Sequence, residues 1–275
     1  MVIGIDLGGT NIRAGIIDNS IIIRQNNAVL KNKDSLSDTI SQFLDIISPL
    51  INNSIQGIGV GVPSVVDIEN GVVFDVMNIP SWKKVPLRDI LQKEFKVPVH
   101  INNDVNCFIL GEHKYGYAKP FKSVVGLAMG TGMGMGIIIN NKLYMGNNCG
   151  AGEIGLLPYL DFNFEYYCSS NFFEIIHKTS ALRAHQEATE GNAKAKRLWN
   201  EFGAHIGNAI KAIIYTYDPE AIILGGSIAK AFNFYSDAMW KTLDNFSYPE
   251  SLKRLKIIQS DDDTIPLLGA ASLVE

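Results

Sequence analysis

Apolar runs and short polar breaks repeat within this chain. Val2-Ile-Gly-Ile5, a glycine-rich elbow from Asp6 to Arg13 and Ala14-Gly-Ile-Ile-Asp18 are echoed 122 residues later by Val124-Val-Gly-Leu127, the elbow Ala128 to Met135 and Gly136-Ile-Ile-Ile-Asn140. Gly4 falls on Gly126, Gly8 on Gly130, Ala14 on Gly136 and Asp18 on Asn140. A polar turn follows each copy, Asn19-Ser20 or Asn141-Lys142, and then a third apolar run, Ile21-Ile-Ile23 or Leu143-Tyr-Met145. Such runs joined by glycine and asparagine turns predict a three-stranded antiparallel meander in each copy.

Between the copies, Leu36, Ile40, Phe43, Leu44, Ile47 and Leu50 recur at helical spacing, so a helix is expected over 36–51. Ile55 to Val62 and Val97 to Ile101 read as strands. Beyond the second copy, Leu198, Phe202, Ile206, Ala209, Ile213 and Tyr217 mark a long helix stopped by Asp218-Pro219. Ala221-Ile-Ile-Leu-Gly-Gly226 is then a strand feeding a glycine turn, with another helix from about Ala229. Strands, crossover helices and a duplicated meander predict an α/β chain of two domains, with a cleft between them and a hinge near residues 105–123.

The length of 275 residues agrees with two domains at roughly 150 residues each. Lys+Arg number 24 against Asp+Glu 28, without a basic block, so nothing favours nucleic acid or an anionic membrane as partner. A small molecule is the expected ligand. Cys107, Cys149 and Cys168 show no metal or disulfide spacing, and no uninterrupted run of 18 apolar residues occurs, which together predict a cytoplasmic protein.

The first elbow, Asp6-Leu-Gly-Gly-Thr-Asn-Ile-Arg13, lies between two strands. Gly8 and Gly9 allow backbone N–H groups to approach phosphate oxygens, Thr10 and Asn11 add side-chain donors, and Asp6 is placed to hold a hydrated Mg²⁺. The second elbow, with Gly130, Thr131 and Gly132, lacks both the helix of a dinucleotide fingerprint and the Gly-Lys-Ser/Thr of a Walker loop. Two facing glycine hairpins are suited to gripping a triphosphate. Asn102-Asn-Asp-Val-Asn106 follows a strand, making Asp104 the candidate base for phosphoryl transfer to a hydroxyl; the alternative reading is a helix cap.

These motifs, with Gly59-Val-Gly-Val-Pro63, Asn78-Ile-Pro-Ser-Trp82, Leu110-Gly-Glu112, Gly150-Ala-Gly-Glu-Ile-Gly155, Leu224-Gly-Gly226 and Leu268-Gly-Ala-Ala271, resemble the ROK family (repressor, open reading frame, kinase) along almost the whole chain. The resemblance implies an actin-like, ribonuclease-H-like fold, with a smaller domain over 1–112, a larger one over 113–264, and a C-terminal helix, 265–275, returning to the first. It implies ATP- and Mg²⁺-dependent phosphorylation of a hexose or N-acetylhexosamine. Asp104 matches the family base, while Asn103, Glu153, Glu174 and, in Gly61-Val-Pro-Ser64, Ser64 match sugar-binding positions. Gly225 and Gly226 match the loop near the adenosine. A non-catalytic sugar-binding relative is the alternative. The family's DNA-binding repressors carry a helix-turn-helix ahead of the elbow, whereas Asp6 lies near the start of this sequence, so no nucleic-acid partner is expected. The sequence leaves the oligomeric state open, a homodimer included.

One departure is large. Family members place a histidine after Gly-Glu-Ile-Gly and then a Cys-x-Cys-x4-Cys run that together hold structural zinc. Here the histidine position is Leu156, Cys168 is the one cysteine of that segment, and the aromatic stretch Tyr159 to Phe173 is expected to anchor the loop by burial. The purified protein should therefore carry no stoichiometric zinc and should keep stability and activity through chelation and restoration of Mg²⁺. Elemental analysis finding about one zinc per chain, lost together with activity, would overturn this expectation.

Overall fold

A computed structural model describes residues 1–8 and 11–274. In chain order the elements are β1 (Val2–Leu7), β2 (Asn11–Asp18), β3 (Ile21–Val29), α1 (Leu36–Ile47), β4 (Ile58–Val62), β5 (Val66–Asp67), β6 (Val72–Phe74), β7 (Lys84–Val85), α2 (Leu87–Phe95), β8 (Val99–Asn103) and α3 (Asp104–Tyr115). The second half contains β9 (Val124–Met129), β10 (Met133–Ile139), β11 (Lys142–Leu143), β12 (Pro158–Tyr159), β13 (Phe162–Asn163), α4 (Phe164–Cys168), α5 (Ala181–Thr189), α6 (Ala193–Tyr217), β14 (Ala221–Gly225), α7 (Phe232–Leu243), α8 (Pro249–Arg254), β15 (Lys256–Gln259) and α9 (Ile265–Ala271).

Two five-stranded sheets of identical topology result, ordered β3-β2-β1-β4-β8 and β11-β10-β9-β14-β15. In each, an antiparallel meander is extended by two parallel strands. The internal repeat is thus real, but its register needs correction. Leu7 pairs with Ile12, whereas Met129 pairs with Met133, so the second hairpin is one residue shorter. Beyond the hairpins, Gly15 rather than Ala14 answers Gly136, because Gly4 faces Gly15 as Gly126 faces Gly136. The second polar turn is Asn140-Asn141, both at positive φ like Asn19 and Ser20, and Lys142 already belongs to β11. Deleting one loop residue costs a hairpin little, whereas a slip within a strand would turn every side chain to the opposite face.

The helix expected over 36–51 ends at Ile47 and tightens into a 3₁₀ turn at Ser48–Leu50, where Pro49 removes an N–H donor. The long α6 stops as expected at Asp218, which caps it in the left-handed conformation. The region expected to hinge is occupied by α3, and the C-terminal helix is shorter than expected, at Ile265–Ala271.

These two helices are exchanged between the sheets. Helix α3 leaves β8 of the first sheet and lies on the second, where Gly126, Gly134, Gly136 and Gly225 leave room for Val105, Phe108 and Ile109. Helix α9 leaves β15 of the second sheet and lies on the first, over Gly4, Gly15 and Gly59. The helices cross at Gly111 and Gly269; a Cβ at Gly269 would overlap the Cys107 carbonyl. On either side, the cores are apolar and aromatic: Phe43 and Trp82 in the first half, Phe172, Phe173, Trp199, Phe202 and Tyr235 in the second, all essentially inaccessible. Trp82 of the Asn78-Ile-Pro-Ser-Trp82 motif donates its indole N–H to Thr39 Oγ1 at 2.8 Å and is a packing residue. Among the described residues, no helix is long and apolar enough to cross a membrane.

Gly→Ala inside a helix ordinarily gains about 1 kcal/mol. At Gly269 the sign should reverse, because the new methyl meets a backbone carbonyl that no rotamer change can move. Gly269→Ala is expected to lose about 2 kcal/mol or more, read as a lower denaturation midpoint in urea. A stabilised variant would contradict the close crossing.

Candidate functional site

Strands β1, β4 and β8 run parallel to one another, as do β9, β14 and β15, and the residues just past their carboxyl ends converge on one cleft. Its volume is about 1320 Å³, room for more than a single sugar. Of the residues singled out in the sequence, Ser64, Asn103, Asp104, Gly130, Thr131, Gly132, Glu153 and Gly226 line it. Asp6, Gly8 and Asn11 line an adjoining hollow of about 580 Å³, and Thr131 borders both spaces. Gly9 and Thr10 lie outside the described residues.

Two expected residues are placed differently. Gly225 ends β14 against the ring of Phe108, a packing position beside the cleft-lining Gly226. Glu174 sits on a single π-helical turn, Phe172–Ile176, which buries Phe172 and Phe173 and leaves Glu174 exposed, lining neither space. The carboxylate that does enter the cleft from this segment is Glu165.

The loop-like sequence Asn102-Asn-Asp-Val-Asn106 is a strand end turning directly into α3. The cap is Asn103: its Oδ1 accepts from the N–H groups of Val105 at 2.8 Å and Asn106 at 3.2 Å, and its Nδ2 donates to the Ser64 carbonyl at 3.3 Å. With that role filled by its neighbour, Asp104 stands at the first turn of α3 facing the cleft. Burial, reinforced by the charges of Asp6 and Glu153, pushes its carboxyl up to about 7, against the opposing pull of the Val105 N–H.

The other wall is built by the Gly150-Ala-Gly-Glu-Ile-Gly155 segment. Gly152, at φ +102°, and Gly155 press against the carbonyls of Met135 and Met133, approaches that a side chain would block, and so hold Glu153 beside β10. Glu153 is held above its ordinary range by partial desolvation and then by the charge of Glu165. Asn102, given no role in the sequence reading, ties this wall to α3: its Oδ1 accepts from Asn106 Nδ2 at 3.0 Å and Cys149 Sγ at 3.0 Å.

Asp6 is paired with a residue of its own hairpin. Arg13 lies directly opposite it in the β1–β2 register and reaches Asp6 Oδ2 through Nε at 3.0 Å and Nη2 at 2.5 Å. Arg13 Nη1 also donates to the Asp263 carbonyl at 2.7 Å, and Lys230 pairs with the Asp263 carboxylate at 2.7 Å. Asp263 therefore joins the first elbow to the second half. Counting residues across the hairpin would have found Arg13, whereas nothing local marks Glu165.

Two residues of the expected zinc segment can be located. Leu156 is exposed at the cleft, and Cys168 is fully buried in an apolar core that pushes its thiol up. Of the aromatic stretch, Phe164, Phe172 and Phe173 are buried as expected, but Phe162 stays exposed, stacked on Tyr166 at 4.1 Å. Tyr159 stacks on Phe164 at 4.4 Å, and its hydroxyl meets His205 Nδ1 at 3.1 Å and Asn208 Nδ2 at 2.9 Å.

The family model described as "ROK family" matches residues 2–275. A glucokinase of Thermotoga maritima is 25% identical over 309 aligned positions, covering 100% of this chain and 97% of its own. A xylose repressor of Bacillus spizizenii is 28% identical, over 99% of this chain and 76% of its own. In three dimensions, the ROK family glucokinase of Streptomyces griseus solved with glucose and AMPPNP superposes with a TM-score of 0.85 at 22% identity, over 99% of this chain and 98% of its own. The fold is the actin-like ATPase fold of the ROK sugar kinases. With the doubled sheet, the exchanged helices and a match running from end to end, this chain belongs to the ROK family.

Proposed function

We propose that the protein is an ATP-dependent sugar kinase, transferring the γ-phosphoryl group of ATP to a hydroxyl of a hexose or N-acetylhexosamine. The observation that carries this reading is Asp104. A carboxylate whose pKa is pushed up to about 7 lies between a polar wall (Ser64, Asn103, Glu153) and the two glycine hairpins that border the cleft and its adjoining hollow. The kinases among its relatives, one of them holding glucose and AMPPNP, support the same assignment.

In this mechanism Asn103 and Glu153 orient the sugar, and Asp104 accepts the proton of the attacking hydroxyl as the oxygen bonds to the γ-phosphorus and the bond to the β-phosphate breaks. Gly8 and Gly130 close the two hairpins by donating their N–H groups to the Asn11 and Gly132 carbonyls, so the donors to the triphosphate are the side chains of Thr10, Asn11 and Thr131 and the remaining hairpin N–H groups. Gly226 borders the nucleotide. The acid set suits Mg²⁺ in one respect: Arg13 occupies Asp6 Oδ2, while Oδ1 has no partner among the described residues and is available to a hydrated ion. Bound Mg²⁺ would neutralise charge on the phosphates.

A coupled ADP-release assay across hexoses and N-acetylhexosamines tests the assignment; sugar binding without turnover would favour the non-catalytic alternative. Asp104→Asn should lower kcat by about 10²–10⁴ while leaving sugar binding nearly intact. Since the base must be ionised, kcat should rise with pH through about 7. A flat profile between pH 5 and 8 would reject Asp104 as the base.

The same shift has a stability consequence. The folded state holds the Asp104 proton more tightly than the unfolded chain does, so stability falls as pH rises from about 4 through 7. Asp104→Asn removes the buried charge. Its thermal midpoint should exceed that of the parent at pH 8, and the difference should shrink toward pH 4.

A further inference from the structure

Two large apolar side chains are held out of the core at the cleft. Met77 is 85% exposed and Leu156 59%, and both line the space that contains Asp104. Each is fixed by backbone bonds next to a residue of the polar wall. In the first half, Ser64 Oγ donates to the Phe74 carbonyl, and the loop after Phe74 is closed by Asp75 N–H on the Lys83 carbonyl and Val76 N–H on the Trp82 carbonyl, both at 3.0 Å. Val76 and Ile79 of that loop are buried, which leaves Met77 outside the core. In the second half, Leu156 N–H donates to the Glu153 carbonyl at 3.2 Å within one 3₁₀ turn, whose Ile154 is buried while Leu156 is not.

A single exposed apolar residue is ordinary. Here two of them, from opposite halves, flank the Ser64 and Glu153 ends of the same wall in one cleft. The amides of Asn78, Asn147 and Asn148 line that space as well and have no hydrogen-bond partner among the described residues. Apolar surface with a few amide groups matches a pyranose ring, which presents C–H faces and a rim of hydroxyls. The cleft, at about 1320 Å³, has room for a second ring beside the first.

We propose that Met77 and Leu156, with Asn78, Asn147 and Asn148, form a second sugar subsite that takes the outer pyranose of a disaccharide whose inner ring lies on Ser64, Asn103 and Glu153. The proposal rests on the sugar-kinase reading and narrows its substrate from a free hexose to a glycoside. A hydroxyl oxygen of the inner ring bonds to the γ-phosphorus of ATP, the bond from that phosphorus to the β-phosphate oxygen breaks, and Asp104 takes the hydroxyl proton. The glycosidic bond stays intact, so the products are ADP and a phosphorylated disaccharide.

The test runs calorimetry and the coupled ADP-release assay with cellobiose, maltose, lactose and N,N′-diacetylchitobiose beside glucose and N-acetylglucosamine, in the wild type and in the double variant Met77→Ser with Leu156→Ser. Both side chains are exposed, so the double variant should keep the thermal midpoint of the wild type. At least one disaccharide should have a kcat/KM about tenfold or more above that of its component monosaccharide. The double variant should raise KM for that disaccharide about tenfold at unchanged kcat and leave KM for the monosaccharide within about twofold. A monosaccharide preferred over all four disaccharides in binding and in turnover overturns the proposal. So does an equal loss for both kinds of sugar, which would mean that Met77 and Leu156 close over a single ring. Tighter binding of a disaccharide without phosphorylation of any sugar keeps the subsite and counts against the kinase reading, whereas phosphorylation of monosaccharides alone keeps the kinase reading and counts against the subsite.

Discussion

The structure depends on the crossing of α3 and α9. Each helix grows from one sheet and covers the other, so neither half has a complete core by itself. The crossing requires close backbone approach at Gly111 and Gly269, and the glycines of β1, β4, β9, β10 and β14 let the helices settle onto the sheets. Side chains at these positions would force the helices off the strands and open apolar surface on both sheets. The same contact places the chemistry: Asp104 opens α3, and the Cβ of Gly61, were there one, would lie 3.4 Å from the Asp104 Cα. The catalytic candidate is thus held by the element that joins the two halves.

Charge in the cleft is lopsided. Asp6, Asp104, Glu153 and Glu165 converge there or beside it, and of these Asp6 alone is neutralised by a protein cation among the described residues. Burial, and then the charge of neighbouring acids, raises the carboxyl groups of Asp104 and Glu153. Such a site favours ligands that donate hydrogen bonds to its acids on one side, and phosphates brought with their own cation on the other.

The loop that carries Glu153 rests on glycines seated against β10, on Phe164, Phe172 and Phe173 in the core, and on the Tyr159–His205–Asn208 contacts. Apolar burial and closely fitted backbone anchor this segment without fixing direction, and Glu165 and Ser170 add the directional bonds that packing lacks.

Much of this was legible in the chain itself. The duplicated meander, the long α6, the strand before Asp104 and the glycine elbows follow from local periodicity and turn chemistry, which act over a few residues. Ser64, Asn103, Asp104 and Glu153 could be placed at one site because their motifs match a family. Other features were decided only by the tertiary structure. The one-residue shortening of the second hairpin is settled by cross-strand pairing, and the capping by Asn103 rather than Asp104 depends on how β8 turns into α3. Glu174 was expected in the cleft from its motif, but a π-helical turn directs it outward because Phe172 and Phe173 take the core. Glu165 enters instead, through a contact with Met133 from a distant part of the chain. Local pattern determines which segments become strands and helices; which side chains meet is determined by competition for buried space among segments far apart in sequence, and a single sequence carries no local signal of that competition.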